Sequence, residues 1–193
     1  DLVEWNNNTR RKPLIVWGAR QVGKTYLIKD IFAQTFYKEQ FLYIDCKVED
    51  DIREFCSKTA NAGKIIEYIS LLKGRRITRD TLLIFVEVQE CPNLVSALKY
   101  FCQDYPEIPV IATGSMVRIK IQRETHKRGV GENESFLFPV GKIDQLTIYP
   151  MTFDEFLLNI NEVLFEKIKE AYVNRMPLDF NVHELGMEQV YKY

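Results

Sequence analysis

The run Gly18-Ala19-Arg20-Gln21-Val22-Gly23-Lys24-Thr25 has the residue types and the spacing needed to wrap a chain of phosphates. It fits G-x-x-x-x-G-K-[ST], the Walker A pattern. The glycines of that pattern let the backbone turn tightly and aim its N–H groups at anionic oxygens. Lys24 is then placed to reach the β- and γ-phosphates, and the Thr25 hydroxyl to hold Mg²⁺. A helix starting at this point adds the positive end of its dipole. The candidate nucleotide-binding set runs from Gly18 through Thr25 to Tyr26, with Lys24 also counted as catalytic and Thr25 as a metal ligand.

Further chemistry falls at two later points. Glu87 follows the apolar run Leu82-Leu83-Ile84-Phe85-Val86 directly, where P-loop ATPases with an additional strand keep a glutamate that polarises the attacking water. It is the candidate catalytic base and a second candidate metal ligand, with Gln89 close behind. The usual pattern puts an aspartate before that glutamate, and here Val86 takes the place. Valine accepts no hydrogen bond and offsets no charge. Losing one charge-assisted hydrogen bond in the Mg²⁺ shell costs about 1.5–3 kcal/mol. Because Mg²⁺ keeps several waters and leans on the phosphates, binding survives this loss more easily than turnover does. Thr113 and Ser115, in Thr113-Gly114-Ser115, offer hydroxyls where a γ-phosphate would lie.

These residues need a scaffold that gathers strand ends. Leu14–Trp17 reads as a short buried strand leading into the first glycine, and Leu27, Ile28, Ile31 and Phe32 have helical spacing after Thr25. Gln40–Ile44, Leu82–Val86, Val110–Ala112 and Leu146–Tyr149 are the other expected strands. Leu82–Val86 is continuously apolar and so should be buried on both faces. Helices are expected around Ile52–Phe55 and Ile65–Leu72, and after Asn93, which is placed to cap. Residues 1–13 read as a polar lead-in. Thr152-Phe153-Asp154-Glu155 is a capping box opening one long helix with a stripe from Phe153 to Tyr172, and a further helix is expected from near Val182. Strands alternating with helices specify an α/β fold with a parallel sheet and right-handed crossovers, whose ligands sit at the carboxyl ends of the strands.

The chain has 193 residues, 46% of them hydrophobic, and a net charge of −1. Such a balance gives no overall pull towards nucleic acid or an anionic membrane. No apolar run is long enough to span a bilayer, and the unpaired cysteines Cys46, Cys56, Cys91 and Cys102 point to a reducing cytoplasm and away from zinc. From Met116 to Gly131 lie Arg118, Lys120, Arg123, Lys127 and Arg128 with one acid, Glu124. The stretch could touch nucleic acid or supply an arginine to a neighbouring subunit, but without interleaved aromatics a solvated loop fits it better.

With these motifs in place, the sequence resembles the prokaryotic AAA+-type P-loop ATPases in which the ATPase core precedes a C-terminal domain of unknown function. The resemblance rests on Gly18–Thr25, Leu82–Cys91, Ala112–Ser115, Phe138-Pro139-Val140-Gly141-Lys142 and Tyr149–Leu157. It implies a P-loop NTPase three-layer sandwich with sheet order 5-1-4-3-2, ATP with Mg²⁺, Glu87 as base and Ser115 as sensor. It also implies a core over residues 1–150, and a helical segment over 151–193 that begins a lid or C-terminal region and continues beyond this sequence. The expected function is an ATP-binding core coupling ATP binding and hydrolysis to movement of attached domains. The alternative is a switch that binds nucleotide without turning it over. ATP is the expected partner, together with an unknown protein or the chain's own C-terminal domain; no membrane is expected, and self-association and nucleic acid are left open.

Overall fold

The computed structural model describes residues 1–114, 139 and 141–193. Ser115, the basic stretch from Met116 to Gly131, Phe138 and Val140 lie outside the described residues. The chain divides into two compact units, Asp1–Tyr149 and Pro150–Tyr193.

In the first unit, β1 (Leu14–Gly18), β2 (Phe41–Asp45), β3 (Leu82–Val86), β4 (Val110–Thr113) and β5 (Asp144–Ile148) form one sheet. Its order is β2-β3-β4-β1-β5 and every pairing is parallel, so the order 5-1-4-3-2 is present, read from the other edge. Alternate residues of each strand feed opposite faces. On one face Leu83 and Phe85 pack with α3 (Asp50–Lys58), α4 (Ala62–Leu72) and α5 (Pro92–Asp104), through Ile52, Ile65, Ile69, Leu94 and Leu98. On the other, Leu82, Ile84 and Val86 pack with Trp5, Ile28 and Phe32. Each such Ile, Leu or Phe contributes roughly 1.5–3 kcal/mol by leaving water. β3 is buried along its whole length, as its unbroken apolar run requires.

Local structure departs from the sequence expectations in four places. Residues 1–13 are more than a lead-in. Leu2–Asn7 forms α1, anchored by Trp5, whose ring N–H donates to the Lys12 carbonyl at 2.8 Å. The helix after Thr25, α2, is wound as a π-helix over Tyr26–Ala33 and passes into a short α-helical turn at Gln34–Phe36. The wider winding brings Ile28 and Ala33 to the buried face together and leaves Ile31 45% exposed, which α spacing would have buried. Asn93 does not cap α5. Pro92 takes the first helical position after Cys91, and the Asn93 amide donates to the Ser57 carbonyl.

The fourth departure lies in the second unit, where the stripe from Phe153 to Tyr172 belongs to two helices, α6 (Phe153–Ile160) and α7 (Glu162–Asn174). Asn161 interrupts them because it prefers to cap. Its backbone leaves the helical region, at φ −158° and ψ 81°, and its side chain accepts from the Leu164 N–H at 3.0 Å. The Thr152–Glu155 capping box is present at the start of α6. α8 (Phe180–Lys192) follows, and Tyr193 packs its ring against Phe153 and Phe156. Among the described residues, no helix is long and apolar enough to cross a membrane.

Candidate nucleotide-binding site

Three strand ends meet at one cleft of about 550 Å³. From the loop after β1 come Arg20, Gln21, Gly23, Lys24, Thr25 and Tyr26, from the end of β2 Asp45 and Lys47, and from the end of β3 Glu87. This is the carboxyl edge of the sheet, where a parallel α/β fold leaves room for a ligand.

The loop's shape follows from its backbone. Gly18 has φ +155° and Gly23 has φ +82°, a left-handed region that favours glycine, and Gln21 also enters it at φ 62°. A Cβ on Gly18 would lie 2.5 Å from the Ile148 carbonyl oxygen, a backbone atom of β5 that cannot yield. Gly18→Ala is therefore expected to destabilise the protein by about 2–4 kcal/mol, lowering the thermal midpoint by roughly 5–10 °C, as calorimetry would register. At Gly23 a Cβ would meet nothing within 4 Å among the described residues, so there the backbone conformation sets the requirement.

Lys24 is 8% exposed and folds back over its own loop. Its ammonium donates to the Gly18 carbonyl at 3.1 Å and the Ala19 carbonyl at 2.5 Å. Burial pushes its pKa below the ordinary lysine value, and the negative charge of Glu87 works against that shift. Thr25 and Tyr26 are exposed at the start of α2. Ala19 and Val22 complete the turn without lining the cleft.

Glu87 sits in a left-handed conformation, φ 52° and ψ 42°, which turns the chain sharply out of β3. Its Oε2 accepts from the Gln89 amide, and the other end of that amide, Oε1, is buried with no hydrogen-bond partner among the described residues. Gln89 thus fixes the direction of the carboxylate. The acids at this edge also act on Tyr43, whose hydroxyl is pushed up in pKa by burial first and then by Asp45 and Glu87.

The candidate residues after β1 and β3 are thus brought together. Val86 is 3% exposed and belongs to the core cluster under α2. Thr113 is buried at the end of β4 and does not line the cleft among the described residues, while Ser115 lies outside them. Asp45 and Lys47 are lining residues with no role assigned from sequence. The available signal was position, since Asp45 ends a strand of a parallel sheet and strand ends collect ligands.

Cys46, Cys56 and Cys91 are buried just behind this edge. Burial raises the Cys56 pKa to about 12, and Cys46 raises itself and lowers Cys91 by donating to it. Among the described residues no group of histidine, cysteine or acidic side chains is arranged to hold a metal ion without a ligand's help.

A five-stranded parallel sheet of this order, with a Lys-Thr loop after its first strand, defines the P-loop nucleotide-binding class. The chain belongs to the AAA domain family, whose profile matches residues 10–157. Its fold is similar to that of the Walker-type ATPase of Pyrococcus abyssi, with a TM-score of 0.51 and 18% identity over 97% of this chain and 60% of that one. A DNA replication initiation factor superposes with a TM-score of 0.48 and 15% identity, over 96% of this chain and 53% of its own. The chain therefore spans a little over half the length of these two structures. No match among curated proteins was found by sequence.

Proposed function

We propose that this chain is the nucleotide-binding core of an ATPase that binds ATP with Mg²⁺ in the cleft at the carboxyl edge of its sheet and hydrolyses it. One observation carries the reading: Lys24 and Thr25, from the loop after β1, line the same cleft as Glu87, from the end of β3. Lys24, already stripped of most of its water, exchanges its bonds to Gly18 and Ala19 for bonds to phosphate oxygens. Backbone N–H groups from Arg20 to Thr25 take up the remaining charge, helped by the N-terminus of α2. Thr25 and the cleft carboxylates fit a hydrated Mg²⁺, which neutralises β- and γ-phosphate charge when bound. Glu87, oriented by Gln89, accepts the proton of the attacking water. Turnover would drive movement of attached domains, and self-association and nucleic acid are partners to be tested with the longer protein.

Val86 favours a second reading, a switch that binds ATP without turning it over. Phosphate release from ATP, with Mg²⁺ and with EDTA, separates the two when measured for the wild type beside Val86→Asp. The ATPase reading expects Mg²⁺-dependent release by the wild type and at most a roughly threefold gain in the variant, about 0.6 kcal/mol. Negligible release by both proteins, with ATP still bound, would establish the switch.

A further inference from the structure

We propose that Asp45, at the end of β2, provides the carboxylate support for the nucleotide's Mg²⁺ that Val86 cannot. The inference rests on the nucleotide-binding reading above and adds a residue to it.

Register places Asp45 correctly. It is paired with Val86 across the β2–β3 ladder, one strand spacing away, about 4.8 Å. It also points the right way. Phe41 and Tyr43, the alternate residues before it, pack on the cluster that holds Leu82, Ile84 and Val86, so Asp45 faces the side of the sheet that carries α2 and the phosphate loop. Accordingly it lines the same cleft as Lys24, Thr25 and Glu87.

Its carboxylate is oriented and half free. Oδ1 accepts from the Lys47 N–H at 2.8 Å, which holds the group in a short turn, and Oδ2 has no hydrogen-bond partner among the described residues. The extra strand spacing is within reach because Mg²⁺ keeps several waters at about 2.0–2.1 Å, and a carboxylate can hold the metal through one of them. Val86, by contrast, is committed to the core, where an acid would lose its water. The negative charge is thus present at this edge, moved sideways by one strand.

The bland role for Asp45 is to hold the turn into α3 through Oδ1. Asp45→Asn separates the two roles, because the amide oxygen can still accept from Lys47 while the charge is gone. The measurement is equilibrium binding of a fluorescent ATP analogue to the whole chain, titrated with Mg²⁺ and repeated in EDTA, with a thermal melt of each protein. The variant is expected to melt with the wild type, to need roughly ten- to a hundredfold more Mg²⁺ for half-maximal tightening, and to bind metal-free nucleotide no more weakly. An unchanged Mg²⁺ requirement, with nucleotide still bound by both, overturns the role of Asp45 and leaves the nucleotide site standing. A wild type that binds no nucleotide overturns both.

Discussion

Lys24→Ala is expected to weaken ATP binding at least about a hundredfold. The ammonium is placed to make charge-assisted bonds to two phosphates, each worth about 1.5–3 kcal/mol, and every 1.4 kcal/mol is tenfold in affinity. Binding exchanges the ammonium's bonds to the Gly18 and Ala19 carbonyls for bonds to phosphate, so the net gain is smaller than the sum of the new bonds. Alanine frees those two carbonyls, but the cleft admits water to them, which should hold the stability loss to about 1 kcal/mol. Alkaline pH offers a second check. Phosphate favours the charged lysine, so affinity falls as pH rises through the pKa of the free protein, and burial has lowered that pKa. The decline should therefore begin below the ordinary lysine value of about 10.4 and be absent from the alanine variant. Titration calorimetry at a series of pH values measures both effects. An alanine variant with wild-type affinity would remove the ground for a nucleotide at this loop.

Glu87→Gln is expected to keep ATP binding within about threefold while slowing phosphate release by roughly 10²–10⁴, the range general-base catalysis supplies. The substitution is nearly isosteric. Glutamine tolerates the left-handed backbone as glutamate does, and its carbonyl oxygen can still accept from the Gln89 amide. What it loses is the ability to take a proton. It also removes the charge that offsets the burial of Lys24, so the alkaline limit of binding should move to lower pH. Single-turnover phosphate release compared with analogue binding separates the two quantities. If release is unchanged, the base lies elsewhere and Gln89 aligns a carboxylate of another purpose.

The parts legible in the sequence were those written in strong local codes. Two placed glycines and a Lys-Thr pair marked the phosphate loop. The unbroken apolar run before Glu87 marked a central strand, and the capping box at Thr152 marked a helix start that is present. Less visible were features decided by packing. Trp5 stabilises α1 from a distance, through a ring N–H to Lys12, and nothing in the asparagine-rich sequence around it announces a helix. The π winding of α2 changes which residues are buried, so α spacing misplaced Ile31. Asn161 sits inside a continuous apolar stripe, which hid its tendency to cap, and its side chain takes the Leu164 N–H. Asp45 belongs to a different case. Its identity and its place at a strand end were readable, but its neighbour across the ladder was not, and that pairing gives it meaning.

The close approach of Gly18 to Ile148 has a mechanical side. Gly18 opens the phosphate loop, and its strand partner Ile148 is the last residue of β5. The first compact unit ends one residue later at Tyr149. Because no side chain separates the two backbones, there is no soft material at this point to absorb a displacement. A displacement of Gly18 therefore presses directly on the Ile148 carbonyl at the last residue of β5, which makes this pair of backbones a stiff point of the sheet.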